Sequence, residues 1–123
     1  MNLEQVRSFE RAVNAGDVDA AVALVTDDVE MGGPRGSARG VEVFRGWVAD
    51  SGISLGTVRL FTRGESAVAV QAAGWSGDDA VHEVVTLLAE RDGRISRIVR
   101  YEGGALDVAL AAAGLGVDDE VHV

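Results

Sequence analysis

Three carboxylates stand close together in the segment VTDDVEMGGPRG. Asp27, Asp28 and Glu30 lie within four residues of one another. Carboxylates grouped in this way can act as a general acid and base when their surroundings push their pKa values apart. A short strand over Val29–Met31 would instead direct Glu30 away from the side chains of its two neighbours. Asp27 and Asp28 would then be solvated residues at the end of a helix, so the residue types alone leave both interpretations open.

A second polar group lies on two strand-like runs, VHEVVTLLAE and ISRIVRYE. If the intervening RDG is a three-residue hairpin loop, strand residues pair outward from it on one shared face. The predicted pairs are Glu90–Arg94, Thr86–Ile98, Val84–Arg100 and His82–Glu102. A histidine beside a carboxylate can be a general base, because the neighbouring charge raises its pKa. His82, Arg100 and Glu102 are therefore the candidate catalytic residues, although a one-residue slip would turn His82 outward.

Composition excludes several functional classes. The chain of 123 residues has no cysteine, which removes disulfides, thiol nucleophiles and thiolate metal sites. Its net charge of -9 disfavours phosphate backbones and anionic membranes. No apolar run approaches the ~20 residues that span a bilayer, and MNLEQVRSFE lacks a signal-peptide core. We therefore expect a cytoplasmic protein with no nucleic-acid partner, no membrane contact, no metal site and no cofactor.

The N-terminal half has the pattern of helices. Apolar residues from Leu3 to Val13 recur at helical spacing, and the segment Asn14–Gly16 would end this helix. Asp17 is a candidate N-cap for a second short helix. After the glycine-rich loop GGPRGSARG, a third helix is predicted over Val41–Asp50, burying Val43, Phe44, Trp47 and Val48.

The C-terminal half changes to the period-two pattern of strands. Four strand-like runs, ISLGTVRLFT, AVAVQAAGW, VHEVVTLLAE and ISRIVRYE, are separated by short turns, which predicts an antiparallel meander. A small helix is predicted over residues 105–113, with Gly114 as its C-terminal cap. We expect one domain over residues 1–114 and a loose acidic tail over residues 115–123. Helices followed by a sheet give an α+β architecture.

The order of these elements also resembles a known family. SFERAVNAGDVDAAVALVTDDVEMGGPRGS near the start and AERDGRISRIVRYEGGALDVALAAAGL near the end are similar to the nuclear transport factor 2-like superfamily, in its SnoaL-like branch. That branch includes relatives of ketosteroid isomerases and polyketide cyclases. The resemblance implies a cone, in which a curved, mostly antiparallel sheet wraps around the N-terminal helices and encloses an apolar pocket. It also implies a homodimer formed through the outer face of the sheet.

The same resemblance argues against isomerase chemistry. Ketosteroid isomerase uses an aspartate base and an oxyanion hole made of a tyrosine and a protonated aspartate. Through the shared NAGD and DD motifs, the tyrosine falls on Phe9, the base on Gly33, and the protonated aspartate on or next to Thr86. None of these side chains can perform the corresponding role. The acidic pair Asp27–Asp28 matches a family pair outside the pocket, which favours the structural interpretation.

Three functional hypotheses follow from the expected pocket. The first is a protein that binds a small apolar ligand, without proven catalysis. The second is a cofactor-independent isomerase, cyclase, dehydratase or epoxide hydrolase that uses His82 with Arg100 or Glu102. The third is a non-catalytic dimeric interaction module with a filled interior. A dimer would cover Val85, Leu87, Val99 and Tyr101, and the residues expected to line the pocket are Phe9, Val13, Val29, Met31, Phe44, Trp47, Phe61, Val84, Thr86 and Ile98.

Overall fold

Four α-helices form where the sequence supplies start and stop signals. The structure, a computed structural model, describes residues 1–123. Helix α1 (Leu3–Asn14) begins with a capping box in which Asn2 and Gln5 exchange hydrogen bonds. Asp17 caps α2 (Val18–Val22) by accepting a hydrogen bond from the Ala20 amide. The remaining helices are α3 (Val41–Asp50) and α4 (Leu106–Ala113), which ends at Gly114 in the left-handed conformation.

One seven-stranded sheet forms the rest of the molecule. Its strands are β1 (Val25–Gly33), β2 (Gly36–Arg39), β3 (Ile53–Arg63), β4 (Ser66–Trp75), β5 (His82–Arg91), β6 (Arg94–Glu102) and β7 (Glu120–Val121). The spatial order is β2-β1-β6-β5-β4-β3-β7, and only the β1–β6 pair is parallel. The predicted four-strand meander is thus confirmed as β3 to β6.

The main core lies between the concave face of the sheet and helices α1 and α3. Phe9 and Val13 from α1 and Phe44 and Val48 from α3 are buried there against inward residues of the strands. The side-chain amide of Asn14 donates a hydrogen bond to the Leu55 carbonyl and accepts one from the Leu55 N–H, which fixes the end of α1 on β3. The predicted α+β cone, with a curved sheet around N-terminal helices, is confirmed.

Two boundaries near the acidic segment differ from prediction. Strand β1 runs over Val25–Gly33 rather than Val29–Met31, so Asp27 and Asp28 lie within a strand and not at a helix end. The predicted loop after Met31 is instead a hairpin in which β2 pairs with β1. The early start of β1 arises because Leu24 and Val25 already contact β6, where the Ile95 amide donates to the Leu24 carbonyl at 2.8 Å.

The pairing of β5 with β6 is shifted by two residues from the predicted register. Asp92 and Gly93 both have positive φ, so the turn is a two-residue turn flanked by Arg91 and Arg94. A bulge between Ala89 and Glu90 completes the shift. The observed partners are Thr86 with Arg100, Val84 with Glu102, and Leu88 with Ile98. Because side chains alternate with period two, a shift of two keeps the same residues on the inner face.

The outer face of the sheet is covered by the chain's own C-terminal helix. Ala109 and Leu110 of α4 are buried in a second apolar cluster with Val85 and Leu87. Val85 and Leu87 were predicted to be covered by a second copy of the chain, but they are already buried within one copy, at 1% and 2% exposed. A local pattern could not reveal this, because it does not show which face an amphipathic helix will cover.

Two smaller expectations were also wrong. Val43 is 45% exposed, because the buried stripe of α3 is centred on Phe44 and Val48. The acidic tail is not loose: residues 117–119 form a short 3-10 helix, and β7 pairs with β3. Arg59 holds β7 through a bidentate contact with the Glu120 carboxylate, with both N···O distances at 2.9 Å.

Candidate ligand-binding site

A small cavity lies inside the cone. This inner cavity has a volume of about 50 Å³, which is too small for a ring-shaped ligand. The cavity is small because aromatic rings of α1 and α3 pack together above it. The ring centroids of Phe9 and Phe44 are 6.3 Å apart, and those of Phe44 and Trp47 are 6.1 Å apart. Its lining residues are Phe9, Met31, Gly32, Trp47, Ile53, Leu55, Val84, Thr86, Ile98 and Arg100.

A wider depression, here called the funnel, adjoins the inner cavity. It has a volume of about 620 Å³. It is bounded by the β1–β2 turn around Pro34 and Arg35, and by the end of β6 at Tyr101, Glu102 and Gly103. The residues that line both spaces are Met31, Gly32, Trp47, Val84 and Arg100. These shared residues place the inner cavity directly beside the funnel.

Arg100 stands where the inner cavity meets the funnel. Its guanidinium lies over the Trp75 ring, with Cζ 5.6 Å from the ring centroid, a cation–π arrangement. The side chain is half-buried, and this burial lowers the pKa of Arg100 from its ordinary value. It forms none of the ion pairs of the structure, whereas Arg39, Arg59, Arg91 and Arg97 all pair with carboxylates.

A buried polar network runs behind the inner cavity. The Glu10 Oε2 atom accepts hydrogen bonds from Thr57 Oγ1 and Gln71 Nε2, both at 2.8 Å. The Gln71 Oε1 atom in turn accepts from Thr86 Oγ1 at 2.7 Å. All four residues are buried, and Gln71 is fully enclosed. Since Thr86 is the cross-strand partner of Arg100, a continuous polar row connects Glu10 to the mouth of the inner cavity.

His82 lies outside both spaces. It is exposed at the start of β5, where its Nε2 atom is 3.3 Å from Asp78 Oδ2 and its ring packs edge-on against Trp75. The predicted pairing with Glu102 does not form, because His82 is opposite Ala73 while Glu102 is opposite Val84. The predicted set of His82, Arg100 and Glu102 is thus brought together only in part, since Arg100 and Glu102 border the funnel and His82 does not.

In the acidic segment, Asp28 and Glu30 form ion pairs at the protein surface. Asp28 accepts a hydrogen bond from Arg91 at 2.6 Å, and this contact lowers the pKa of the Asp28 carboxyl. Glu30 contacts Arg97 at 3.0 Å and Arg39 at 3.5 Å. Asp27 is exposed on the same strand. These contacts join β1 to its neighbours and to the β5–β6 turn, well apart from the inner cavity.

The residues predicted to line a pocket fall into four groups. The inner cavity takes Phe9, Met31, Trp47, Val84, Thr86 and Ile98. Val29 and Phe44 belong to the surrounding core, and Val13 lines a separate depression of about 480 Å³. That depression is bordered by Asp78 and Asp79 and shares only Ile53 with the inner cavity. Phe61 is misplaced in the prediction, because it faces outward into the cluster under α4.

The three positions that correspond to isomerase residues all border the site. Phe9 and Thr86 line the inner cavity, and Gly33 lines the funnel. A Cβ at Gly33 would meet no atom within 4 Å, so this position opens into free space. These three positions therefore present neither a carboxylate nor a phenol to the two spaces.

Sequence reasoning missed Glu10, Gln71 and Trp75. Glu10 lies four residues after Val6 and three before Val13, so it shares the buried stripe of α1. Gln71 lies two residues from both Ala69 and Ala73 on β4, so it shares their inward face. Both signals were present in the sequence as polar residues on apolar faces. The contact between Trp75 and Arg100 had no such signal, because it joins β4 to a strand that is not its neighbour.

Comparison with known proteins identifies the family. The sequence model of the SnoaL-like domain matches residues 6–98. This chain belongs to the SnoaL-like domain family. No curated protein sequence matches it closely enough to count as a relative. No helix has both the length and the apolar character needed to cross a membrane.

Solved structures with the same fold are distant in sequence. An NTF2-like protein from Cytophaga hutchinsonii superimposes with a TM-score of 0.72 at 18% identity, covering 79% of this chain and 85% of its own. A candidate ketosteroid isomerase from Kribbella flavida gives 0.71 at 20% identity, covering 80% and 74%. A computationally designed 17-OHP binder gives 0.70 at 18% identity, covering 97% and 93%. At these identities the likeness establishes the fold alone.

Proposed function

We propose that this SnoaL-like protein binds a small apolar molecule in the funnel, with one end of the ligand in the inner cavity. The observation that carries the proposal is the continuity of the two spaces through five shared lining residues. Concave sites of a few hundred Å³ are typical of ligand pockets, and Met31, Trp47, Val84 and Tyr101 supply the apolar part of the funnel's lining. The designed 17-OHP binder supports the proposal as an example of ligand binding on this fold.

We do not propose an enzyme that works through His82. A general base must reach the proton that it removes, at about 2.6–3.2 Å or through one water. His82 contacts Asp78 and Trp75 at the surface instead of bordering the funnel. The three isomerase positions are also occupied by Phe9, Gly33 and Thr86, which supply neither a base nor the expected proton donors.

The competing hypothesis is an interaction module with a filled interior. The small volume of the inner cavity favours it, and the funnel opposes it. Self-association through the outer sheet face remains a separate proposal, now confined to the β6 side of that face. There Val99 and Tyr101 stay partly exposed beside the cluster under α4.

The proposal is tested by blocking the funnel. Gly33→Phe adds a ring where the structure has open space, and its backbone needs no positive φ. Gly46→Phe is the matched control, because Gly46 is an exposed position on α3 with no atom within 4 Å of an added Cβ. The probe is 2-naphthamide, a neutral two-ring compound, with binding measured by calorimetry and by amide shifts of Gly32 and Gly33.

We expect 2-naphthamide to bind the wild type and the Gly46→Phe variant alike, and to bind Gly33→Phe at least about tenfold more weakly. Shift changes should concentrate at the funnel glycines. Equal binding to both variants would place the compound elsewhere and contradict the proposal. Absence of binding to the wild type by any ring compound of this size would favour the interaction module.

A further inference from the structure

We propose that the funnel selects an apolar ligand that carries a carboxylate, and that Arg100 is the group that holds this carboxylate. The inference rests on the proposed function and specifies the chemistry of its ligand. Its starting point is an uncompensated positive charge. Arg100 is the half-buried cation between the inner cavity and the funnel, and it forms neither an ion pair nor a hydrogen bond with any side chain of the protein.

A half-buried cation without a partner has lost part of its hydration and gained no opposite charge in return. Such burial costs free energy unless the charge is paired. The lowered pKa of Arg100 has desolvation as its cause, with no carboxylate acting against it. The Trp75 ring compensates in part by lying beneath the guanidinium. Stacking leaves the N–H groups in the guanidinium plane free to donate to a ligand.

The acidic residues that border the funnel form no ion pair with Arg100. Glu83 also borders the funnel, but it precedes the inward residue Val84 on β5, so its side chain is directed to the opposite face of the sheet. Glu102 is exposed at the outer end of β6 and makes no ion pair with Arg100. An anionic group at Arg100 therefore displaces no existing partner.

Arg100 is also the only charged proton donor that lines the inner cavity. The Thr86 hydroxyl lines the cavity, but its proton is donated to Gln71 Oε1 at 2.7 Å. The indole N–H of Trp47 is a single donor without charge, and the remaining lining side chains are apolar. The planar guanidinium fork matches a carboxylate through two parallel hydrogen bonds, whereas a dianion such as a phosphate would need further positive charge. The apolar wall then holds the carbon skeleton of the ligand.

The test compares 2-naphthoate with 2-naphthamide, two compounds of nearly equal shape that differ in charge at pH 7. Calorimetry on the wild type should give a dissociation constant about 10- to 100-fold lower for the carboxylate, the range expected for a charge-assisted pair. Arg100→Met should remove this preference while retaining the binding of 2-naphthamide. The amide thus reports whether the variant is folded and its funnel intact.

Two further variants serve as controls. Arg94→Met removes an exposed, unpaired arginine of the same strand and should leave the preference unchanged. Glu102→Gln removes the nearest rim carboxylate and should not weaken 2-naphthoate binding. In the wild type, the side-chain Nε–H resonance of Arg100 should shift with 2-naphthoate and remain fixed with 2-naphthamide, a measurement that needs no variant.

The outcomes separate this inference from the proposed function. Equal affinity for the two compounds, or a carboxylate preference that survives Arg100→Met, overturns the role of Arg100 while ring binding in the funnel stands. Loss of the preference in Arg94→Met would equally overturn it, because a general surface charge would then be responsible. If neither compound binds the wild type, the proposed function and the inference fail together.

Discussion

The buried network around Gln71 makes a prediction that can be worked out from its contacts. Gln71 donates to Glu10 and accepts from Thr86, and it is fully enclosed. Gln71→Leu keeps much of the side-chain volume and removes both hydrogen bonds. Each buried group left without its partner costs about 1–3 kcal/mol, so the two together cost about 2–6 kcal/mol. The greater hydrophobicity of leucine returns about 1–2 kcal/mol.

We therefore expect Gln71→Leu to lower the free energy of unfolding by about 2.5 kcal/mol, the difference between the midpoints of these two ranges and a large part of the stability of an ordinary domain. Urea denaturation followed by tryptophan fluorescence measures this loss, with linear extrapolation to water. The companion variant replaces all four members, as Glu10→Leu, Thr57→Val, Gln71→Leu and Thr86→Val. It should regain most of the loss, because no polar group is then left without a partner.

Two results would refute this reasoning. A loss below about 0.5 kcal/mol for Gln71→Leu would mean that water reaches Thr86 and Glu10 and replaces the missing partner. A quadruple variant less stable than the single one would mean that the four residues contribute independently, since coupled residues do not add.

Three further predictions concern other parts of the molecule. The contact with Arg59 lowers the pKa of Glu120 from its ordinary value of 4.5. The contact therefore stabilises β7 above that pH, and this stabilisation is lost as the pH falls below it. Carboxyl NMR titration should show a higher Glu120 pKa in Arg59→Gln. Neither the wild type nor Phe9→Tyr or Gly33→Asp alone should isomerise a Δ5-3-ketosteroid, since one missing oxyanion donor costs about 2.7–4 kcal/mol; conjugated enone absorbance above a buffer control would contradict this. If the β6 side of the outer face mediates a dimer, sedimentation equilibrium at micromolar concentration will give twice the monomer mass of 12.8 kDa, and the monomer mass would refute it.

Local signals determined which elements could be predicted from the sequence. Helix α3 was predicted with its observed bounds, Val41–Asp50, because its apolar stripe and the following Gly52 are both local features. The β5–β6 register was not predicted correctly, because Asp92 adopts a positive φ and the turn has two residues instead of three. The bulge after Ala89 shifts the register by one more residue, and no residue type in the sequence indicates it.

Assignments that depend on packing between distant elements were less predictable. The outer face was expected to contact a second copy, and α4 covers the β4 and β5 part of it. Both interpretations require the same apolar residues on β5, so the sequence could not distinguish them. His82 shows the same limit: its strand position was correct, but its surroundings are set by the β4–β5 connection that supplies Asp78.

The polar row also bears on the proposal that this protein binds a ligand without catalysing proton transfer. Isomerisation needs a group at the cavity that takes up a proton and another that donates one. Thr86 has donated its proton to Gln71, and Glu10 lies behind that amide with its Oε2 atom held by two donors. The Arg100 guanidinium keeps its protons because it is not deprotonated in proteins, and the Trp47 indole N–H can only donate. These groups can hold a negative charge but cannot take up a proton, which supports the proposal of a binding site.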